Sequence, residues 1–292
     1  MKKKVFLTGA SGFLGWNILN LAKNKHNFIG QYHSSKVYSD IETIRVNLSS
    51  ESEIHAALKK SKPDLVIHTA AISNANFCQE NKTYSHAINV KSSLCLAEYC
   101  SDKSIPYSFI SSDLVFDGKK GDYSEKDKVN PVSLYGEQKV KAEEGINKIY
   151  SDANIFRIPL LFGESHPEFN NALYNMIGQI KNSNDVNLFT DEYRTPARAK
   201  SVAKGILDCC SLSKGVLHLG GIERSSRFHF GELLCEKFDL KKSNINACLQ
   251  ADIKMSAPRP ADVSLNSKKA FLLGYKPKTI KQELDEIYEF MN

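Results

Sequence analysis

Thr8-Gly9-Ala10-Ser11-Gly12-Phe13-Leu14-Gly15 is the stretch that decides the fold. It directly follows Lys4 to Thr8, a short apolar run, and opens a segment, Phe13 to Lys25, whose apolar residues return every three or four positions. A glycine-rich turn alone can be no more than a tight strand-to-helix connection. In this register it also suits a ligand. Gly9 permits the turn, Gly12 lets the main chain approach a pyrophosphate, and Gly15 lets the helix pack on the strand. The helix N-terminus then offers unpaired N–H groups to phosphate. Gly9, Ser11, Gly12, Phe13, Leu14 and Gly15 are therefore candidate contacts to a dinucleotide.

Outward from this loop, short apolar runs alternate with helical periods up to about residue 160. The runs Lys4 to Thr8, Phe28 to Tyr32, Thr43 to Val46, Leu65 to His68, Tyr107 to Ile110 and Asn154 to Ile158 predict strands. Phe13 to Lys25, Ser52 to Lys60, Tyr84 to Ser101 and Ser133 to Tyr150 predict helices, the last with Leu134, Val140, Ile146 and Ile149 as its buried stripe. This rhythm predicts an α/β fold with a doubly wound parallel Rossmann sheet over residues 1–160. The less regular remainder predicts a smaller C-terminal α/β substrate lobe, 161–292, some of whose segments return to the first domain. Its expected elements are helices at Ala172 to Lys181, Ala199 to Ser211 and Phe228 to Phe238, and strands near Val186 to Phe189 and Val216 to Leu219.

The end of the second strand sets the choice of dinucleotide. An NAD site places a carboxylate there for the ribose hydroxyls, whereas this chain has Gln31-Tyr32-His33-Ser34-Ser35-Lys36. With no acid to repel a 2′-phosphate, and with His33, Ser34, Ser35 and Lys36 available to hold it, NADP(H) is preferred and NAD(H) stays possible.

Two further groups carry the chemistry. Ser111-Ser112-Asp113 follows the fifth strand, and Tyr135-Gly136-Glu137-Gln138-Lys139 lies on a helix. Tyr135 and Lys139 are four apart and share a helix face. The ammonium is expected to lower the phenol pKa and make Tyr135 a proton donor and acceptor near neutral pH. Ser112 would hydrogen-bond the same substrate oxygen. The three together suit hydride transfer to a ketone.

These motifs resemble the extended short-chain dehydrogenase/reductase family, and the likeness covers nearly the whole chain. His68-Thr69-Ala70-Ala71 resembles the family's turn after the fourth strand, Ile88-Asn89-Val90 its Asn-bearing helix, and Arg157-Ile158-Pro159 with Phe162-Gly163 its step into the substrate lobe. The resemblance implies that Ala70 and Ala71 touch the cofactor, that Lys139 also binds the nicotinamide ribose, and that Asn89 supports the catalytic water or lysine. Within the family, Ser111-Ser112-Asp113-Leu114-Val115-Phe116-Asp117-Gly118 is similar to the S-T-D-Y-V-F-x-G motif of the dTDP-4-dehydrorhamnose reductases. Asn170-Asn171-Ala172, Arg194-Thr195-Pro196 and Arg259-Pro260 resemble that group's substrate-lobe signatures. The implied reaction is NADPH-dependent reduction of the 4-keto group of a nucleotide-linked deoxysugar, with Ser112, Asp113, Asn171, Arg194 and Arg259 on the substrate. Arg194, Arg227 and Arg259 could neutralise its diphosphate bidentately. Leu114 stands where the motif has Tyr, which leaves the sugar open.

The bulk properties narrow the classes without choosing among them. A formal charge of +6, from 39 Lys and Arg against 33 Asp and Glu spread along the chain, calls for no nucleic-acid partner. Lys2 to Lys4 is followed by too short an apolar run to read as a signal peptide, and no stretch is long and apolar enough to span a bilayer. Seven cysteines without CxxC or zinc spacing predict reduced thiols in a cytoplasmic protein and no metal site. The family implies a homodimer formed through the Tyr84 to Ser101 and Ser133 to Tyr150 helices. Two rival functions remain: a sugar-nucleotide epimerase or dehydratase that recycles tightly bound NAD, and a non-catalytic NADP-binding regulatory subunit like the partner of methionine adenosyltransferase.

Overall fold

The computed structural model describes residues 2–168 and 171–292; Asn170 of the expected substrate-lobe signature lies outside the described residues. Seven strands make one sheet: β1 (Lys4–Thr8), β2 (Asn27–Tyr32), β3 (Glu42–Arg45), β4 (Leu65–His68), β5 (Tyr107–Ser112), β6 (Asn154–Ile158) and β7 (Gly215–His218). Their spatial order is β7-β6-β5-β4-β1-β2-β3, and each neighbouring pair is parallel. The order reverses between β1 and β4, where an open α/β sheet leaves a crevice beyond its carboxyl ends.

The main helices are α1 (Phe13–Ala22), α2 (Glu51–Ser61), α3 (Ser92–Asp102), α4 (Leu134–Ile149), α5 (Ala172–Lys181), α6 (Ala199–Cys209), α7 (Arg227–Lys237) and α8 (Ile280–Met291). Leu14 and Ile18 of α1 join Val202 and Ile206 of α6 against Val5 and Leu7 on one face of the sheet. Ile54 and Leu58 of α2, Leu96 of α3 and Ile146 of α4 cover Phe6, Phe109 and Ile155 on the other. Burial on both faces explains the nearly continuous apolar runs of β1 and β4, and each such side chain contributes about 1.5–3 kcal/mol.

The lobe has its own core, in which Leu173 and Ile177 of α5, Phe230 and Leu234 of α7, and Leu284 and Ile287 of α8 close over Leu188. Buried Arg198, at the head of α6, bonds both oxygens of Glu164 at 2.7 and 2.9 Å, Glu283 at 3.2 Å, and Glu286. That clasp fixes α8 to the junction between sheet and lobe.

One of the segments expected to return to the first domain is identified, and two elements differ from expectation. The strand expected near Val216 among the lobe elements is β7, paired with β6 through Val216↔Ile155 and Leu217↔Phe156; an unpaired β6 would be an exposed edge, and pairing across the lobe insertion covers it. The helix expected at Tyr84 to Ser101 is a continuous run of Lys82–His86, a π turn at Ala87–Lys91, and α3, preceded by the unforeseen helix Ala75–Glu80. In α4 the buried face is Tyr135, Gln138, Lys139, Ala142, Glu143 and Ile146; of the expected stripe only Ile146 is fully buried. Polar residues hold that face because each finds a partner inside.

Candidate active site

A cavity of about 860 Å³ opens at the switch point and along the carboxyl ends of the strands. The glycine loop forms part of its wall. Gly9 has φ +66°, and a Cβ on it would lie 2.8 Å from the Ala70 backbone; a Cβ on Gly15 would lie 2.2 Å from the Gly9 carbonyl. Larger residues at either position would push β1, α1 and the Ala70 turn apart. Gly12 is the N-cap of α1 and supplies no side-chain acceptor, so the first N–H groups of a ten-residue helix face the cavity with no side-chain cap. Such an end holds phosphate. Gln31 braces the loop, accepting from Gly9 N at 3.0 Å and donating to Val46 O at 2.8 Å.

Of the residues expected at the cofactor, Gly9, Ser11, Gly12, Phe13, Leu14, Gly15, His33, Ala70, Ala71, Tyr135 and Lys139 line the cavity. Ser34, Ser35 and Lys36 do not; they are exposed, and the Lys36 ammonium sits 5.1 Å from the centre of the Tyr38 ring. Tyr38 in turn stacks on His166, 4.0 Å between ring centroids. A loop after a strand places its side chains by such local contacts, which sequence spacing does not encode.

The reacting group forms where β5 ends against the first turns of α4. Ser112 closes β5 and its hydroxyl accepts from Leu114 N at 3.2 Å and donates to Asp113 at 3.0 Å. Gly136 lets α4 come this close, since a Cβ there would lie 2.2 Å from the Leu114 carbonyl. Tyr135 and Lys139 are buried and line the cavity with Ser112 and Leu114. The Lys139 ammonium donates to Ile110 O at 2.8 Å and lies over the Phe109 and Tyr135 rings, 4.6 and 5.8 Å from their centroids. Burial brings its pKa down to about 8, against the opposing charge of Glu143.

The expected lowering of the Tyr135 pKa is not found. Burial raises it well above 10, the Asp113 carboxylate adds to the rise, and the Ser112 hydroxyl opposes it. Enclosure of the phenol by protein outweighs the ammonium, which rests over the ring face 5.8 Å from its centroid. The phenol is held neutral.

Asn89 sits on the π turn and is buried, but it reaches no group of Lys139. Its side chain accepts from Ile72 N at 2.8 Å and donates to Ile72 O at 3.0 Å and Gln138 at 2.8 Å. It thereby fixes the Ala70–Ile72 turn to α4. Asn171 is likewise turned away from the cavity: it caps α5 by accepting from Tyr174 N at 2.9 Å and donates to Gly163 O and Ser165.

The lobe brings Arg194, Arg227 and Arg259 to the same cavity. Arg194 bonds Asp113 at 3.2 Å and Glu192 at 3.4 Å, and Arg259 bonds the other Glu192 oxygen at 3.4 Å. Arg227 has no side-chain hydrogen bond among the described residues, and burial lowers its pKa, opposed by Glu192. Three guanidinium groups therefore face two carboxylates, leaving an excess positive charge for an anionic ligand. Glu192, which holds Arg194 and Arg259 together, was missed from sequence; its only signal was its place two residues before Arg194. No cluster of three metal-ligating side chains occurs among the described residues.

The sequence and the fold have counterparts among known proteins. A family model described as the RmlD substrate binding domain matches residues 3–292. A probable low-salt glycan biosynthesis reductase, Agl14, of Haloferax volcanii is 29% identical over 96% of this chain and 95% of that protein. Methionine adenosyltransferase 2 subunit beta of Bos taurus is 26% identical over 95% of this chain and 84% of that protein. The fold is shared with a dTDP-4-dehydrorhamnose reductase from Bacillus anthracis solved in complex with NADP, at TM-score 0.88 and 20% identity, over 99% of this chain and 100% of that one.

Proposed function

Since the chain belongs to the RmlD substrate binding domain family, we propose that it reduces the 4-keto group of a nucleotide-linked deoxysugar with NADPH. One observation carries the reading: the glycine loop, the Ser112, Tyr135 and Lys139 group and three lobe arginines all line a single cavity. That cavity suits a dinucleotide beside a second, anionic ligand. The absence of a carboxylate from the Gln31 to Lys36 stretch favours NADP over NAD.

The dinucleotide, when bound, supplies a hydride. The chain does the rest. The N-terminus of α1 holds phosphate, and Arg194, Arg227 and Arg259 hold the diphosphate of the sugar substrate so that its ketone meets Tyr135. Ser112 turns its hydroxyl from Asp113 to the ketone oxygen and steadies the developing charge. Tyr135, kept neutral by its surroundings, gives its proton to that oxygen. Lys139, ammonium below about pH 8, restores the positive field beside the phenolate that remains.

The decisive test offers the protein NADPH with a panel of nucleotide-linked 4-keto-6-deoxysugars and follows the loss of reduced-nicotinamide absorbance. Oxidation with at least one sugar is expected. Cofactor binding without turnover of any sugar would overturn the reductase reading and favour a regulatory subunit, a role for which the 26% identity to the methionine adenosyltransferase subunit is the supporting observation. Proton transfer also fixes a pH dependence. Because the Lys139 pKa is lowered to about 8, its ammonium is present below that pH and lost above it. The value of kcat/KM for ketone reduction should therefore fall as pH rises through about 8, and a profile flat well past that point would take Lys139 out of the proton path.

The reading extends to assembly and setting. A homodimer joined through the Lys82–Asp102 run and α4 is the proposed state, with sedimentation as its check. The seven cysteines are free thiols and suit a reducing compartment; among the described residues no helix is long and apolar enough to cross a membrane. No nucleic-acid partner is proposed.

A further inference from the structure

Glu192 is the acid that the lobe arginines share, and it holds them loosely. Its Oε1 accepts from Arg194 Nη2 and its Oε2 from Arg259 Nη1, each at 3.4 Å. Elsewhere in this molecule a buried guanidinium grips its carboxylate far more closely. Arg198 meets Glu164 at 2.7 and 2.9 Å, and Arg157 meets Glu143 at 2.6 and 3.0 Å. Such lengths are those of a strong charge-assisted pair; 3.4 Å is not. The Glu192 side chain makes no other hydrogen bond among the described residues, although it is buried.

The surroundings are anchored while the carboxylate is not. The Glu192 carbonyl accepts from Arg227 N at 3.1 Å, which fixes the main chain. Arg194 is held from its other terminal nitrogen by Asp113 at 3.2 Å, and Arg259 Nε donates to the Met255 sulfur at 2.8 Å. Arg227 opens α7 and feels the Glu192 charge without a hydrogen bond to it. Glu192 and all three arginines line the cavity. Two carboxylate oxygens, one on each of two guanidinium groups, occupy the positions that oxygens of two linked phosphates would take on the same pair.

We infer that Glu192 holds the place of the substrate's diphosphate and, because it must be displaced, selects for that group. A ligand with two linked phosphates replaces both contacts at once and also reaches Arg227, which offsets the loss of the carboxylate. A single phosphate replaces one contact and leaves Glu192 beside it, where like charges repel. Selectivity thus comes from an acid that must move as much as from arginines that attract. The inference rests on the nucleotide-sugar reading proposed above and names a residue that enforces it.

The test is a calorimetric titration of thymidine, uridine and guanosine diphosphates, and of their monophosphates, against the natural protein and Glu192→Gln. The variant keeps the side-chain shape and removes its charge. Both kinds of ligand should bind the variant more tightly, the monophosphate by roughly 10- to 100-fold and the diphosphate by less. The preference for diphosphate should therefore narrow. Weaker binding of both ligands would overturn the inference by showing that Glu192 only braces the arginines. Equal tightening would overturn it too, since selection would then lie elsewhere. A crystal structure of the natural protein with the diphosphate that binds best is a second measurement, independent of how the variant folds. It should show the Glu192 carboxylate withdrawn from Arg194 and Arg259; a carboxylate still on both, with ligand bound, would sink the role of Glu192 alone. No binding of any diphosphate to the natural protein would overturn the nucleotide-sugar reading itself.

Discussion

Tyr135→Phe should lower kcat for ketone reduction roughly 10²- to 10⁴-fold while NADPH affinity stays within about threefold. The substitution removes one oxygen from a side chain that is otherwise packed, so the fold and the cofactor cavity keep their shape. The size of the effect follows from the state of the phenol. Burial and the Asp113 charge hold it neutral, which is the form needed to protonate a developing alkoxide. Ser112 is committed to Asp113 and Leu114 before substrate arrives and is a poorer acid. Single-turnover loss of NADPH absorbance, with binding followed separately by fluorescence, separates chemistry from affinity. Residual turnover within tenfold of the natural protein would mean that another group supplies the proton.

Arg157→Met should cost about 3–5 kcal/mol of stability, the usual result of stranding one partner of a buried ion pair. Arg157 meets Glu143 through three contacts of 2.6, 3.0 and 3.3 Å, and Glu143 also accepts from Ser111; all three residues are buried. Removing the guanidinium leaves a carboxylate inside the protein, one helical turn from Lys139 and one residue's bond away from Ser112. Urea unfolding should show the loss. The double variant Arg157→Met with Glu143→Met should recover most of it, since two well-packed apolar side chains replace a desolvated pair. A single-variant loss below about 1 kcal/mol would show that water reaches the pair.

The parts of this molecule that could be read from sequence are those where backbone geometry forces a residue type. Gly9 and Gly15 are required by positive φ and by a 2.2 Å approach, and the apolar strands are required by burial on two faces. Tyr135 and Lys139 could be paired because four residues make a helical turn. What escaped reading has a common cause: partners distant in sequence. The buried face of α4 is polar because Gln138 meets Asn89 and Ser85, and Glu143 meets Arg157; an apolar-periodicity argument selects Leu134, Val140 and Ile149 instead. Lys36 reads as a phosphate ligand until Tyr38 is found beneath it, and Asn171 reads as a substrate contact until it is seen to cap α5. Local rules failed most densely near the candidate active site, where chemistry and packing make conflicting demands.

The pairing of β7 with β6 also joins two strands that are made far apart in time. Six strands of the sheet are complete when residue 158 has emerged, but the seventh does not begin until residue 215. At about 5–20 residues per second, β6 waits roughly 3–11 s with one row of backbone N–H and C=O groups uncovered. During that interval Asn154–Ile158, whose side chains end up largely buried, offers a nascent neighbour a place to pair. Slower translation between residues 159 and 214 should lengthen this exposure and lower the yield of folded protein.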